Sequence, residues 1–344
     1  MKICAQWMLE LLPWLEHISS QELNKRMAIL GHRANISNGI LNFIPSENRR
    51  DLNCVNGVLR EIAAAFGKRL DIPCTEIIEE DIGSIYERVD ADVWSESVCN
   101  RFTAKMCVNL QKGKTPSWMK DRLLAAGLVC ENTVQDIASY VFLEYGQPVL
   151  LLDGRSICDG SLTIREAMGY ETAEDNLLPY GMPILESGEE ILAVPHYWFS
   201  DFATVKPDSQ EILIVAVNSP NDVLEACNES FSTIACAQDP LLTMRAVERT
   251  SQLMQQLGYG HVLDGSLDIL NYVPNPVKVD LKEVYEQDNS ISWDEFVTIL
   301  SLIGFDEDGT IPSWRSDLGT AEAIRSEVSR LHRAIVQTND IFSV

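Results

Sequence analysis

Basic residues are scarce in this chain of 344 residues: 27 lysines and arginines stand against 51 aspartates and glutamates, a formal net charge of −24. That surplus repels polyphosphate at long range, so free nucleic acid is disfavoured as a default partner. The nine cysteines include no CxxC pair, and an odd count at irregular spacing fits reduced thiols and not a zinc site or a complete disulfide framework. Reduced, mostly buried thiols and a cytoplasmic location are the expectation. No apolar run approaches the length of a membrane span. The apolar N-terminal stretch reads as a helix and not as a secretory leader, because Gln6, Glu10 and Glu16 interrupt it and no small-residue cleavage site follows. GxGxxG and the phosphate-cradling GxxxxGKS/T are both missing, so no ATP site is visible, and no repeat of solenoid length occurs.

What is present is a 46% hydrophobic chain long enough for two or three packed domains. Ile3, Trp7, Leu11 and Leu15 form one apolar stripe at helical spacing, and Ser19, Ser20 and Glu22 open a second helix that Gly31 stops. ILNFI reads as a strand. A charged loop and a helix carrying Val55, Val58, Leu59, Ile62 and Phe66 follow, with Gly67 at its end. The acidic TEIIEEDIGSIYERVDADVWSES reads as a linker. Beyond it RFTAKMCVNL is a strand, PSWMKDRLLAAG and NTVQDIASYVFLEYG are helices, and VLLLD, ILAVPHYW and EILIVAVN are strands, the last with both faces covered. PLLTMRAVERTSQLMQQLG is a long helix from Pro240 to Gly258. The remainder predicts strand, two helices, a short hairpin and a helix, a small α+β unit.

The stretch PSWMKDRLLAAGLVCENTVQDIASYVFLEYGQPVLLLD resembles the start of the editing domain in the phenylalanyl-tRNA synthetase β subunit. MKICAQWMLELLPWLE and PSENRRDLNCVNGVLREIAAAFGKRL are similar to the two halves of that subunit's first domain. The resemblance implies a multidomain α+β chain: a β-subunit-like first domain over 1–82, an editing-like α/β domain over 97–262, and a small winged-helix-like domain over 272–340. It also implies that an OB-fold insertion is missing near Gly39, and that the α-docking and anticodon-binding modules lie outside this sequence.

The same resemblance assigns roles to positions, and this sequence departs from them. Ser139 stands where relatives carry Asn, and Leu150 where they carry His; a Leu can neither accept a proton nor orient water. Phe202 occupies the place of a Glu that reads a tyrosine hydroxyl, with Asp201 beside it and Phe199 and Ser200 in place of a glycine pair. Tyr140, Leu150, Trp198, Phe199 and Phe202 are therefore expected to line a remodelled apolar pocket. His196, Asp201 and Ser139 are the remaining catalytic candidates, weighed against packing roles. Asp136, Glu144 and Asp153 read as helix and loop charges, and Cys236 as an unactivated thiol.

Near the C-terminus relatives carry four carboxylates that help bind magnesium. Asp317 and Glu327 match two of them, whereas Ala323 and Ser326 replace the others, which leaves at most a weak Mg²⁺ site; helix capping by Asp317 and pairing of Glu327 with Arg330 compete with it. The run Lys112, Lys114, Lys120, Arg122 reads as a solvated face. Asp306, Asp308 and Gly309 suit a hairpin turn and not a calcium loop.

The function implied is a non-catalytic, β-subunit-like binding or scaffold protein whose partner is another protein, a small apolar amino acid or an aminoacyl group. Two alternatives stand beside it: a free-standing aminoacyl-tRNA editing hydrolase, and a component of a split phenylalanine-tRNA ligase contributing to aminoacylation and RNA binding.

Overall fold

In a computed structural model of the chain, residues 1–46, 49–78, 80–131, 133–173, 176–195, 197–220, 223, 239–272, 278–286 and 290–336 are described. Two compact units result: Met1–Pro73 with Asp121–Val129 and Pro274–Val344, and Cys74–Lys120 with Cys130–Val273.

The first unit opens on a strand, β1 (Lys2–Cys4), where the apolar stripe predicts one helix. The helix itself, α1 (Ala5–Leu11), ends before Pro13, whose missing N–H and fixed φ start a separate 3-10 turn. Ile3, Trp7 and Leu15 are buried all the same, because strand, helix and turn each direct one of them inward. α2 (Ser20–Ile29) is capped by the Ser19 side chain, which accepts from the Glu22 amide at 3.1 Å, and Gly31 follows it at φ 79°. β2 (Arg33–Ser37) and β3 (Ile40–Ile44) form a hairpin with β3 central in the order β1-β3-β2.

α3 (Val55–Ala65) is buried along nearly its whole length, and only glycine fits at position 57, where a Cβ would lie 1.7 Å from the Asp51 carbonyl oxygen. At the other end of the chain this unit gains α7 (Leu281–Glu286), α8 (Trp293–Leu302) and α9 (Ala321–Val336). A Ser292/Glu295 capping box starts α8. Asp306 to Gly309 make the expected turn, closed by the Gly309 amide on the Asp306 carbonyl at 3.0 Å, and Thr310 bridges to Lys278.

The second unit holds two five-stranded sheets. One has the order β12-β11-β10-β7-β4, built from β4 (Asp90–Val93), β7 (Ser161–Glu166), β10 (Pro183–Ser187), β11 (Glu190–Val194) and β12 (Trp198–Phe199). β4 pairs parallel with β7, so the acidic segment expected as a linker supplies an edge strand. The other sheet runs β14-β5-β13-β6 and comprises β5 (Arg101–Val108), β6 (Leu150–Asp153), β13 (Glu211–Asn218) and β14 (His261–Val262), with β15 (Leu267–Leu270) also on β5. A small hairpin of β8 (Thr172–Ala173) and β9 (Asn176–Leu177) stands apart.

Strand alternation decides which residues meet between the sheets. Phe102, Ala104, Met106 and Val108 of β5 share one apolar core with Leu213, Val215 and Val217 of β13 and with Leu162, Ile164, Leu185 and Leu192 of the opposite sheet. The alternate residues Ile212, Ile214 and Ala216 are buried on the other face, as the continuous apolar run of β13 predicts. α6 (Leu241–Gln256) packs there against β5 and β13, and α5 (Gln135–Tyr145) packs against α6. α4 (Ser117–Ala126) contains the point at which the chain passes from one unit to the other. Among the described residues no helix is long and apolar enough to cross a membrane.

Candidate functional site

The positions singled out for an editing-like pocket are distributed over the second unit, and all but Phe202 are packed against other side chains. Tyr140, on α5, is 1% exposed; its ring meets Trp118 edge-on with centroids 5.3 Å apart, and its hydroxyl faces Glu144 at 3.5 Å. Leu150 begins β6 opposite Val215 and packs, with Phe199, against the core between the sheets. Trp198 packs into a smaller cluster that includes Ala167, Leu178, Met182, Ile184 and Val194, and its indole N–H has no hydrogen-bond partner among the described residues. Phe202 is 47% exposed on the turn after β12. None of these five residues lies on the wall of either described cavity.

Ser139 is half-buried on α5, and Asp201 is exposed in the same turn as Phe202. Among the described residues the side chains of Ser139 and Asp201 make no hydrogen bond or ion pair. His196 and Cys236 lie outside the described residues.

The carboxylates read as helix and loop charges are buried anchors. Asp136, at the first turn of α5, accepts from the Thr115 hydroxyl, from the Glu131 amide at 2.9 Å and from the Cys130 thiol at 3.0 Å. Glu144 is held by Arg249 at 2.8 Å. Burial pushes the Asp153 carboxyl up, but hydrogen bonds from Arg155 and from the Ser209 hydroxyl at 2.5 Å outweigh it and bring it down to about 2. Arg155 reaches on to Asp208 at 2.9 Å, which ties the segment 206–209 to the end of β6.

Two cavities open among the described residues of this unit. The smaller, 290 Å³, is polar and lies beside Lys105, Glu248 and Asp264. The larger, 460 Å³, lies between the loop after β5, the residues entering α5 and the segment 204–210, with Tyr259 on its wall. Its size is that of a small-molecule site. Lys112, read as part of a solvated run, is on its wall. Arg122 from the same run is buried in the first unit over the Trp7 ring, 4.9 Å from its centroid, and paired with Glu10.

In the first unit the two carboxylates considered for magnesium meet arginine. Arg315, 2% exposed, donates to Asp317 at 2.8 and 2.9 Å and to Glu327 at 2.8 Å. Arg330 donates to Glu327 at 2.7 Å, as its spacing of three residues predicts, and also to Glu61 on α3 at 2.8 Å. Glu61 is shared further with Arg49 at 2.8 Å and with the His32 ring at 3.0 Å. Burial pushes the Glu61 carboxyl up, and the guanidinium groups of Arg49 and Arg330 together with the His32 hydrogen bond hold it well below the usual carboxylate range. The same opposition of burial to Arg315 and Arg330 lowers Glu327. Guanidinium groups thus occupy the oxygens that a cation would need, and no group of three metal-ligating side chains occurs among the described residues. Asp317 precedes α9 by a full turn and pairs with Arg315, so it does not cap that helix.

The described cysteines are all free. Cys54, Cys99 and Cys107 are buried, Cys4 and Cys130 are half-buried, and Cys74 and Cys158 are exposed, so fewer thiols are hidden than the composition suggests. Burial pushes Cys54 up to about 11 and Cys99 and Cys107 up to about 12, which leaves these three unreactive.

Residues 98–259, which contain both sheets' central strands, α5 and the larger cavity, match the B3/4 domain family. Over 322 residues the chain is 24% identical to the phenylalanine–tRNA ligase β subunit of Clostridium tetani, and over 316 residues 27% identical to that of Syntrophus aciditrophicus. The chain is a β-subunit-like protein. These alignments take in 86% and 83% of it but only 40% and 39% of the relatives, so this β-subunit-like chain spans about two-fifths of the length of the curated proteins it matches. A solved N-terminal fragment of the phenylalanyl-tRNA synthetase β subunit from Pyrococcus horikoshii has a similar fold, with a TM-score of 0.50, 13% identity, and coverage of 96% of this chain and 99% of that one.

Proposed function

We propose that this β-subunit-like chain is a non-catalytic binding or scaffold protein, in which apolar packing has replaced the chemistry of an editing site. The observation that carries this reading is the state of the expected centre. Leu150 and Phe199 are packed against the core, Phe202 points to solvent from an exposed turn, and Ser139 and Asp201 make no hydrogen bond or ion pair among the described residues. Ester hydrolysis needs a general base and an oriented water within hydrogen-bond reach of the reacting carbonyl, and neither Leu150 nor Phe202 supplies one. The net charge of −24 works against capture of free tRNA. The layout 1–82, 97–262 and 272–340, with a winged-helix-like last part, belongs to this proposal.

The deciding experiment has two arms. The purified chain is incubated with tRNAs mischarged with tyrosine and other amino acids, and amino-acid release is expected to equal that in buffer. Release above buffer that survives in the wild-type chain and falls in Ser139→Ala or Asp201→Asn makes it an editing hydrolase instead. In parallel, the chain is recovered from its own cells and its partners identified; stoichiometric recovery of a ligase α subunit with restored aminoacylation establishes the split-ligase alternative.

A further inference from the structure

The larger cavity of the second unit is separate from the editing-like position, and three features show it to be a constructed site. First, its walls are held from behind. The residues entering α5 are fixed by Asp136, which gathers Thr115, Cys130 and the Glu131 amide. The facing segment is fixed through Ser209, whose hydroxyl donates to Asp153 at 2.5 Å and accepts from the Lys206 amide at 2.8 Å. The third wall is fixed by Gly113, where a Cβ would stand 2.7 Å from the Tyr259 ring, and by the Gln111 amide on the Tyr259 carbonyl at 2.8 Å. Walls that do not move on binding carry little ordering cost.

Second, the lining is mainly apolar. Val134, Val205, Pro207, Leu110 and the buried ring of Tyr259 supply flat or branched hydrocarbon. A volume of 460 Å³ accommodates a ring system of two or three fused or linked rings, within the range of small-molecule pockets.

Third, the charge on the wall runs against the charge of the chain. Lys112 and Lys206 come from two different loops, and neither ammonium is ion-paired among the described residues. Glu131 is the one carboxylate on the wall, which leaves a net positive lining in a protein of net charge −24. Ten described arginines, by contrast, are each committed to a carboxylate, from Arg26–Glu22 to Arg330–Glu61.

We infer that this cavity is a binding site for a small planar aromatic molecule carrying a negative charge, with the ring against Tyr259, Val134 and Pro207 and the anionic group between Lys112 and Lys206. The inference does not rest on the scaffold reading, because no residue of the editing-like position is on this wall.

The test is calorimetric titration of the full chain with naphthalene-2-carboxylate and with its uncharged counterpart naphthalene-2-carboxamide, checked by ligand-observed NMR. One carboxylate per chain is expected, with the carboxamide at least ~10-fold weaker and the carboxylate weakening as salt is raised. K112Q/K206Q, two exposed positions whose replacement leaves the fold intact by circular dichroism, is expected to weaken the carboxylate by ~10-fold or more while leaving the carboxamide unchanged. Gln111→Trp, which fills the cavity mouth, is expected to weaken both. Phe202→Ala is expected to change neither. Equal binding of the two probes, no binding of either, or insensitivity to the lysine pair overturns the inference, and so does loss of binding in Phe202→Ala, which moves the site to the editing-like position.

Discussion

Arg330 on α9 donates to the carboxylate of Glu61 on α3 at 2.8 Å across 269 positions of sequence, and this bond ties together parts of the first unit that are far apart in the chain. Arg330 also holds Glu327 and the Leu30 carbonyl. Replacing it with Met leaves Glu61 and Glu327, both nearly buried, with fewer positive neighbours. Breaking a buried pair from one side costs about 3–5 kcal/mol, and the partial exposure of Arg330 places Arg330→Met near ~3 kcal/mol. Urea unfolding gives the number. A change within experimental error would show that Arg49 and Arg315 already satisfy both carboxylates. The double replacement Glu61→Gln with Arg330→Met is expected to cost less than the sum of the two single changes, as contacting partners do.

Acidification tests the same cluster through a different observable. Glu61 and Glu327 are held below the ordinary carboxylate value of ~4.3 in the folded protein. A depressed carboxylate contributes stability that is fully present above its unfolded value and is lost as pH falls through its folded one. The urea midpoint of the first unit is therefore expected to be flat from neutral pH down to about pH 5 and to fall below ~4.3. Asp153 adds a later loss in the second unit, between its unfolded value near ~3.9 and about 2 in the folded state. Glu327→Gln should flatten the fall of the first unit. If the midpoint instead drops as pH rises, the sign assigned to these carboxylates is wrong.

Much of this architecture was legible where the signal is local. Ser19 capping α2, Gly146 in the left-handed region after α5, and the doubly buried run of β13 each follow from a few adjacent residues. Pro13 shows where pattern reading stops: Ile3, Trp7 and Leu15 keep a helical spacing although strand, helix and 3-10 turn supply them in succession. Asp136, Glu144 and Asp153 read only as helix and loop charges because carboxylates are rarely buried, and their partners Thr115, Arg249 and Ser209 are remote in sequence. The cavity at Lys112 and Lys206 had no motif to announce it, since its wall comes from four separate segments. Asp317 and Glu327 matched a carboxylate pattern, while Arg315, which takes their oxygens, was visible only once the chain had folded.

Magnesium gives a direct check on that last reassignment. A bound divalent ion raises the melting temperature with a saturable dependence on concentration, because it binds the folded state alone. With Asp317 and Glu327 both engaged by Arg315, millimolar magnesium at constant ionic strength is expected to leave the melting temperature where it was. A saturable rise that disappears in Asp317→Asn would mean that the guanidinium yields to the cation, and the arginine cluster would then be a gate on a metal site.

Thiol chemistry distinguishes the buried cysteines from the exposed ones without any substitution. The attacking species is the thiolate, so reactivity requires both access and an accessible pKa. Cys54, pushed up to about 11, and Cys99 and Cys107, pushed up to about 12, fail on both counts, whereas Cys74 and Cys158 are open to solvent. Brief treatment of the native protein with iodoacetamide, followed by peptide mass spectrometry, is expected to show Cys74 and Cys158 modified and the three buried thiols protected. Protection is expected to end together with the urea transition that exposes each unit: Cys54 with the first, Cys99 and Cys107 with the second. Labelling of Cys107 before that transition would mean that β5, the strand paired with β13, β14 and β15, opens independently of the sheet it organises.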